Sequence, residues 1–123
     1  MSAGKHNLSC DQGSTFERSI TWTDSNGSAV NVSNYNARMD VRFAPTKEAD
    51  LVLQLTQSNG RLTRGANVAT GTFLIVISAA DTASLTPATY FYDLEVFTVN
   101  ATDPVYVQRL VQGKFTVNPE VTG

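Results

Sequence analysis

Few side chains in this sequence have the chemistry to act on a substrate, and they are scattered. His6 is the single histidine and Cys10 the single cysteine. A nucleophilic serine or cysteine needs a base beside it, and a metal site needs several converging ligands, so one histidine near the chain start assembles neither. It reads as an exposed polar residue opening a strand. Cys10 alternates in step with Leu8, which assigns it to the core as a small apolar residue. No neighbouring cation or helix start is present to stabilise its thiolate. A lone cysteine also forms no internal disulfide, so the fold rests on packing.

Carboxylates are the remaining route to acid–base chemistry, with Asp40, Asp93 and Glu95 as the set. Strand parity gives these groups a different task. In Ala37-Arg38-Met39-Asp40-Val41-Arg42-Phe43 the charged residues share one face, and in Tyr90-Phe91-Tyr92-Asp93-Leu94-Glu95-Val96-Phe97 the residues Phe91, Asp93, Glu95 and Phe97 share another. If the two strands are neighbours, cross-strand ion pairs follow, each contributing about 0.2–1 kcal/mol. Arg38, Arg42, Phe91, Asp93, Glu95 and Phe97 are therefore the expected interaction surface. No catalytic, metal-binding or cofactor-binding residue is expected, and the protein reads as a non-enzyme without a cofactor.

No phosphate-cradling glycine pattern, paired-cysteine motif or calcium loop occurs; the glycines between Gly60 and Gly71 lack the strand–glycine–helix context that would matter. Asn7, Asn31 and Asn100 each open an Asn-x-Ser/Thr triplet, which has meaning only in a secreted eukaryotic protein. The segment Met1–His6 lacks the apolar core of a secretion signal, so folding in a cytoplasm is expected.

The elements that must position these residues are strands. With 123 residues, 41% of them hydrophobic and 16% charged, the chain suffices for one domain with its own core. No run approaches the ~18 apolar residues that span a bilayer, so no membrane insertion is expected. The net charge is −2 and the basic residues are dispersed, which argues against direct nucleic-acid binding.

Along the chain, His6–Gln12 reads as an edge strand, and Thr15–Thr23 as a strand with Phe16, Ile20 and Trp22 inward and Arg18 the exception on that face. Asn26-Gly27, a pair able to take positive φ at both residues, predicts a reversal. The strand around Met39 runs through Phe43 and stops at Pro45. Leu51, Leu53 and Leu55 face inward on the next, and Leu62 sits on a short rung after Ser58-Asn59-Gly60. Gly71–Ile77 has apolar residues on both parities, Leu74 and Val76 opposite Phe73, Ile75 and Ile77, as in a strand covered on both sides.

Ser78-Ala79-Ala80-Asp81 has the form of a helix start, predicting one or two turns over about 79–85 before Pro87. Ala88–Val99 is a long strand with Tyr90, Tyr92, Leu94 and Val96 inward, turned by Asn100–Pro104. The last strand, Val105–Val117, switches apolar parity between Val107 and Leu110, which predicts a bulge, with Gly113 contributing to the bend. The domain thus covers 1–119, with 120–123 as a short tail. Strands spaced by turns every ten residues or so predict an all-β, immunoglobulin-like antiparallel sandwich with Greek-key connections. The helical turn before a strand opening on Tyr90 suggests a tyrosine corner.

Several motifs carry a family resemblance over nearly the whole chain. They are Gln12-Gly13-Ser14-Thr15-Phe16 entering the strand that ends at Trp22, Asp24-Ser25-Asn26-Gly27, and Tyr35-x-Ala37-Arg38-Met39. In the second half come Ile77 through Leu85, Pro87-Ala88-Thr89-Tyr90-x-Tyr92-Asp93-Leu94-Glu95, and Gly113 through Val121. With these the chain resembles small β-rich virion proteins of tailed bacteriophages, related to the N-terminal domains of baseplate upper proteins and to tail or fibre adaptor domains. Thr89 departs from the glycine often found before the tyrosine. The resemblance implies a non-enzymatic structural component of the virion, made in the bacterial host cytoplasm. Its expected partners are other virion proteins of the tail, baseplate, neck, fibre or capsid, and it is expected to be a homo-oligomer or to be present in several copies. Capsid decoration, as a cement protein, is the alternative. A carbohydrate-binding module is a third reading, with Trp22, Tyr35 and Tyr106 as candidate sugar platforms.

Overall fold

The computed structural model describes residues 4–98 and 107–120. The strands are β1 (Gly4–Lys5), β2 (Leu8–Asp11), β3 (Phe16–Thr21), β4 (Tyr35–Arg42), β5 (Leu51–Thr56), β6 (Leu62–Arg64), β7 (Thr72–Ile77), β8 (Ala88–Thr98) and β9 (Val107–Asn118). A 3-10 turn, Val68–Thr70, precedes β7, and a short helix α1, Ala79–Ala83, follows it. One sheet runs β1/β2–β9–β8–β4–β5 and the other β3–β7–β6. The chain changes sheet between β2 and β3, between β3 and β4, between β5 and β6, and between β7 and β8, which is the Greek-key crossing of an immunoglobulin-like sandwich.

The alternation of β4 and β8 explains the core. Ala37, Met39 and Val41 from β4 and Tyr90, Tyr92, Leu94 and Val96 from β8 point at Phe73, Ile75 and Ile77 of β7, and all of them are buried. Leu8, Cys10, Phe115 and Val117 close one side of this core and Leu53, Leu55 and Leu62 the other. Phe16 meets Phe115 edge-on at 5.6 Å. Trp22 is buried against Tyr35, rings 5.0 Å apart and nearly perpendicular.

Helix α1 is held by its own sequence and by the turn after β2. Ser78 caps it by accepting from the Asp81 amide at 3.2 Å. Thr82, the one buried polar residue among those described, accepts from the Gly13 amide at 3.1 Å and directs its hydroxyl proton at the Ser14 carbonyl, 2.8 Å away. Two residues before β8, Thr86 accepts from the Tyr90 hydroxyl at 2.5 Å, forming the tyrosine corner.

The structure departs from the sequence expectations where pairing, which is not local, decides. β1 and β2 pair with β9 in parallel, so the sandwich is antiparallel everywhere except at this edge. After β2 the chain crosses to the other sheet, so no hairpin forces an antiparallel partner. Phe43 and Leu51, expected inward, are 59% and 45% exposed. Phe43 lies past the end of β4. On β5, Val52 is an extra residue opposite the Val41/Arg42 step, so Leu51 pairs with Arg42 and shares its outward side. Leu74 and Val76 are only half-buried, and no described element covers that side of β7.

At the first reversal Gly27 alone has positive φ, at 82°, and Asn26 does not share it. The Gly27 amide donates to the Asp24 carbonyl and the Asp24 amide to the Ser28 carbonyl, a longer loop than the two-residue turn that Asn-Gly suggests. The β9 bulge is present, at Leu110, between the pairs Leu94–Val111 and Glu95–Arg109. Gly113 lies outside it and does another job: a Cβ there would collide with the His6 carbonyl, so its bareness lets the N-terminal segment lie against β9. Asn100–Pro104, Val105, Tyr106 and 121–123 lie outside the described residues.

Candidate interaction face

The outer side of the larger sheet gathers the six residues of the expected surface. The register lays them out in rows across the strands. Arg38 of β4 pairs with Glu95 of β8, which pairs with Arg109 of β9. In the next row Asp40 pairs with Asp93, followed by Gln112 and Lys5. In the third, Arg42 pairs with Phe91, followed by Lys114. Phe97 lies on the same side one row beyond Arg38, whose guanidinium carbon sits 4.9 Å from its ring centre.

Within these rows each carboxylate holds an arginine. Arg38 Nε donates to Glu95 Oε1 at 3.0 Å, the cross-strand pair expected from parity. Arg42, expected to reach across to β8, instead donates to Asp40 Oδ2 on its own strand at 3.0 Å and to the Ala49 carbonyl at 2.8 Å. Gln54 of β5 donates to the other Asp40 oxygen at 3.3 Å. Asp93 takes Arg109 as its partner, Nε to Oδ2 at 3.2 Å.

Arg109, Gln54, Gln112, Lys5 and Lys114 are the members of this face that parity reasoning omitted. Arg109 had a readable signal, the parity switch on β9: counted through the bulge at Leu110, it falls on the outer face. Asp93 is the strained member. Burial pushes its carboxyl above the ordinary value, with Glu95 and Asp40 adding to the rise and Arg109 and Arg42 opposing it.

The face is concave. A groove of about 730 Å³ runs over it, floored by Asp40, Phe91, Asp93 and Glu95 and bordered by the β4–β5 loop on one side and by β1 and β9 on the other. Phe91 is half-buried between its register neighbours Arg42 and Lys114, an apolar spot in a polar floor.

The residues with reactive side chains stand elsewhere. Cys10 is buried, and burial first, then the charge of Asp11, pushes its thiol up to about 11. His6 contributes its backbone: its amide donates to the Gln112 carbonyl at 2.9 Å, and its carbonyl accepts from the Tyr92 hydroxyl at 2.6 Å. Burial pushes that phenol up to about 12. Of the candidate sugar platforms, Trp22 is core, Tyr35 is half-buried against it, and Tyr106 lies outside the described residues. Among the described residues no group of three or more His, Cys, Asp or Glu side chains could hold a metal ion. No described helix is long and apolar enough to cross a membrane.

No family model matches the chain, and no curated protein matches it.

Proposed function

We propose that this protein is a non-enzymatic structural component of a tailed-bacteriophage virion, serving in the tail, baseplate, neck or fibre-adaptor region, where it docks through the outer face of its larger sheet. The observation that carries the reading is the face itself. Register brings Arg38, Arg42, Phe91, Asp93, Glu95 and Phe97 onto one concave surface of rigid strands, with its carboxylates paired and an aromatic side chain set between cations. Strands hold such groups in fixed positions, which lowers the entropic cost of binding a partner. The sequence motifs shared with small β-rich virion proteins supply the biological setting. Copies of the protein would work in a symmetric assembly, each facing a neighbouring virion protein.

Mass spectrometry and cryo-electron microscopy of purified particles test this reading. The expected result is the protein in the virion at a few to tens of copies, with density of another protein against β4, β8 and β9. Its absence from particles would overturn the proposal. Hundreds of copies on the capsid would replace the tail assignment with a cement role.

A further inference from the structure

The chain has three lysines, Lys5, Lys47 and Lys114, and all three line the groove over the larger sheet although they are far apart in sequence. All are exposed, and none makes an ion pair among the described residues. The carboxylates that line the groove are occupied: Asp40 by Arg42, Asp93 by Arg109, and Glu95 by Arg38. The groove lining thus holds five cations, Lys5, Arg42, Lys47, Arg109 and Lys114, against three carboxylates, on a chain whose net charge is −2. A groove of locally positive excess attracts a negatively charged partner.

The floor decides what kind. Asp40 and Asp93 lie side by side there, with Glu95 in the next row. A nucleic acid or sulfated glycan, with charge at every unit, would set anions against these carboxylates. A peptide can place its acids at the rim and neutral groups over the floor. A second copy of this same face would bring lysines against lysines. Phe91 adds an apolar foothold beside Lys114.

Resting on the assembly role proposed above, we infer that the groove binds an acidic peptide segment of another virion protein. Its carboxylates pair with Lys5, Lys47 and Lys114, and an apolar side chain of the segment packs on Phe91.

Two experiments separate this inference from the assembly reading. In the first, the isolated full chain is titrated, at low salt and followed by amide NMR, with a synthetic nine-residue peptide of glutamates around a central leucine. Shifts should concentrate at Lys5, Phe91, Gln112 and Lys114. The double variant Lys47→Gln/Lys114→Gln should bind about fivefold more weakly, as the loss of two exposed ion pairs implies. Lys47→Arg/Lys114→Arg should bind like the parent, and melting temperatures should match. Shifts scattered over the surface, or equal binding by the Gln variant, would overturn the inference. So would tighter binding at the same amides by a sulfated oligosaccharide of equal charge.

In the second, purified particles are treated with a carbodiimide, which joins a lysine amine to a carboxylate in contact with it as an amide and takes up the water of condensation, leaving as its urea. Cross-links from the groove lysines to Asp or Glu of one segment in another virion protein are expected. If the protein is in the particle and its lysines join only to other copies of itself, or to nothing, the inference fails while the assembly role stands. If the protein is absent from particles but the isolated chain binds the peptide, the assembly role fails and the groove's specificity stands.

Discussion

Substituting Gly113 by Ala tests the parallel edge, the feature of the fold least visible in the sequence. A Cβ at this position would lie 2.8 Å from the His6 carbonyl carbon and 3.0 Å from Asn7 Oδ1, with the His6 carbonyl oxygen closer still. Both His6 atoms are backbone, so relief requires the N-terminal segment to withdraw from β9 by about 1 Å to regain van der Waals separation. Three hydrogen bonds depend on that approach. They run from the Tyr92 hydroxyl to the His6 carbonyl at 2.6 Å, from the His6 amide to the Gln112 carbonyl at 2.9 Å, and from the Lys114 amide to Asn7 Oδ1 at 3.0 Å.

At about 0.5–1.5 kcal/mol each, and more for the buried Tyr92 hydroxyl if left unpaired, their loss sums to about 2–4 kcal/mol. Leu8 and Cys10 pair further along β9, opposite Phe115 and Val117, so the damage need not spread to the core. Urea and thermal unfolding followed by near-ultraviolet circular dichroism should show this loss as a fall in melting temperature of roughly 10 °C. Hydrogen exchange should show the His6 amide losing protection. Gly27→Ala is the control: nothing stands near its Cβ, so only the cost of a positive φ remains, about 1 kcal/mol. A Gly113→Ala protein within about 0.5 kcal/mol of the parent, with His6 still protected, would refute the close approach of His6 and Asn7 to β9.

Three further outcomes follow from the same structure. Tyr90→Phe removes the hydroxyl that donates to Thr86; because Thr86 is exposed and water can replace the donor, the loss should be about 1 kcal/mol in urea unfolding. An unchanged stability would show that the corner does no energetic work. Cys10, with its thiol near 11 and 5% exposure, should react with iodoacetamide at pH 8 on the order of a hundredfold more slowly in native protein than in urea, where its pKa returns to the ordinary range. Rapid native labelling would contradict its burial. For Asp93 the raised pKa means that the folded state holds its proton more tightly than the unfolded one. Its contribution to stability therefore falls as pH rises from the ordinary carboxylate range through the folded value. Asp93→Asn should then be neutral or more stable by under about 1 kcal/mol at pH 7, discounted for partial exposure, with the difference vanishing at acid pH. A loss above 1 kcal/mol at pH 7 would mean that the Arg109 pair outweighs burial and like-charge repulsion.

Residues whose environment is set by alternation alone were legible. Every second residue of β4 from Ala37 to Val41, and of β8 from Tyr90 to Val96, is buried, and the Ser78 cap and the Tyr90 corner follow from local rules. What escaped depends on partners distant in sequence. The β1/β2–β9 pairing joins opposite ends of the chain, and nothing local encodes its direction. Phe43 has the right parity for burial but lies beyond the strand, and Leu51 has its side chosen by a bulge opposite β4. The interaction face was legible in the residues of β4 and β8, because one parity of each strand is shared. Its lysines were not, since one each from β1, the β4–β5 loop and β9 converge only once the sheet order is known.

The two bulges connect packing to surface charge. Each admits one extra residue, Val52 on β5 and Leu110 on β9, and each of these is partly buried against the core. An extra residue in one strand shifts everything beyond it by one position, which exchanges faces. On β5 the exchange sends Leu51 outward beside Arg42. On β9 it places Arg109 opposite Glu95, where it reaches Asp93. Without Arg109, Asp93 would face Asp40 and Glu95 with only Arg42, itself held by Asp40, to offset them. By supplying an arginine to the floor, the bulge pairs Asp93 and adds a cation to the groove. A core-packing device on the last strand thereby sets the charge that a partner would meet.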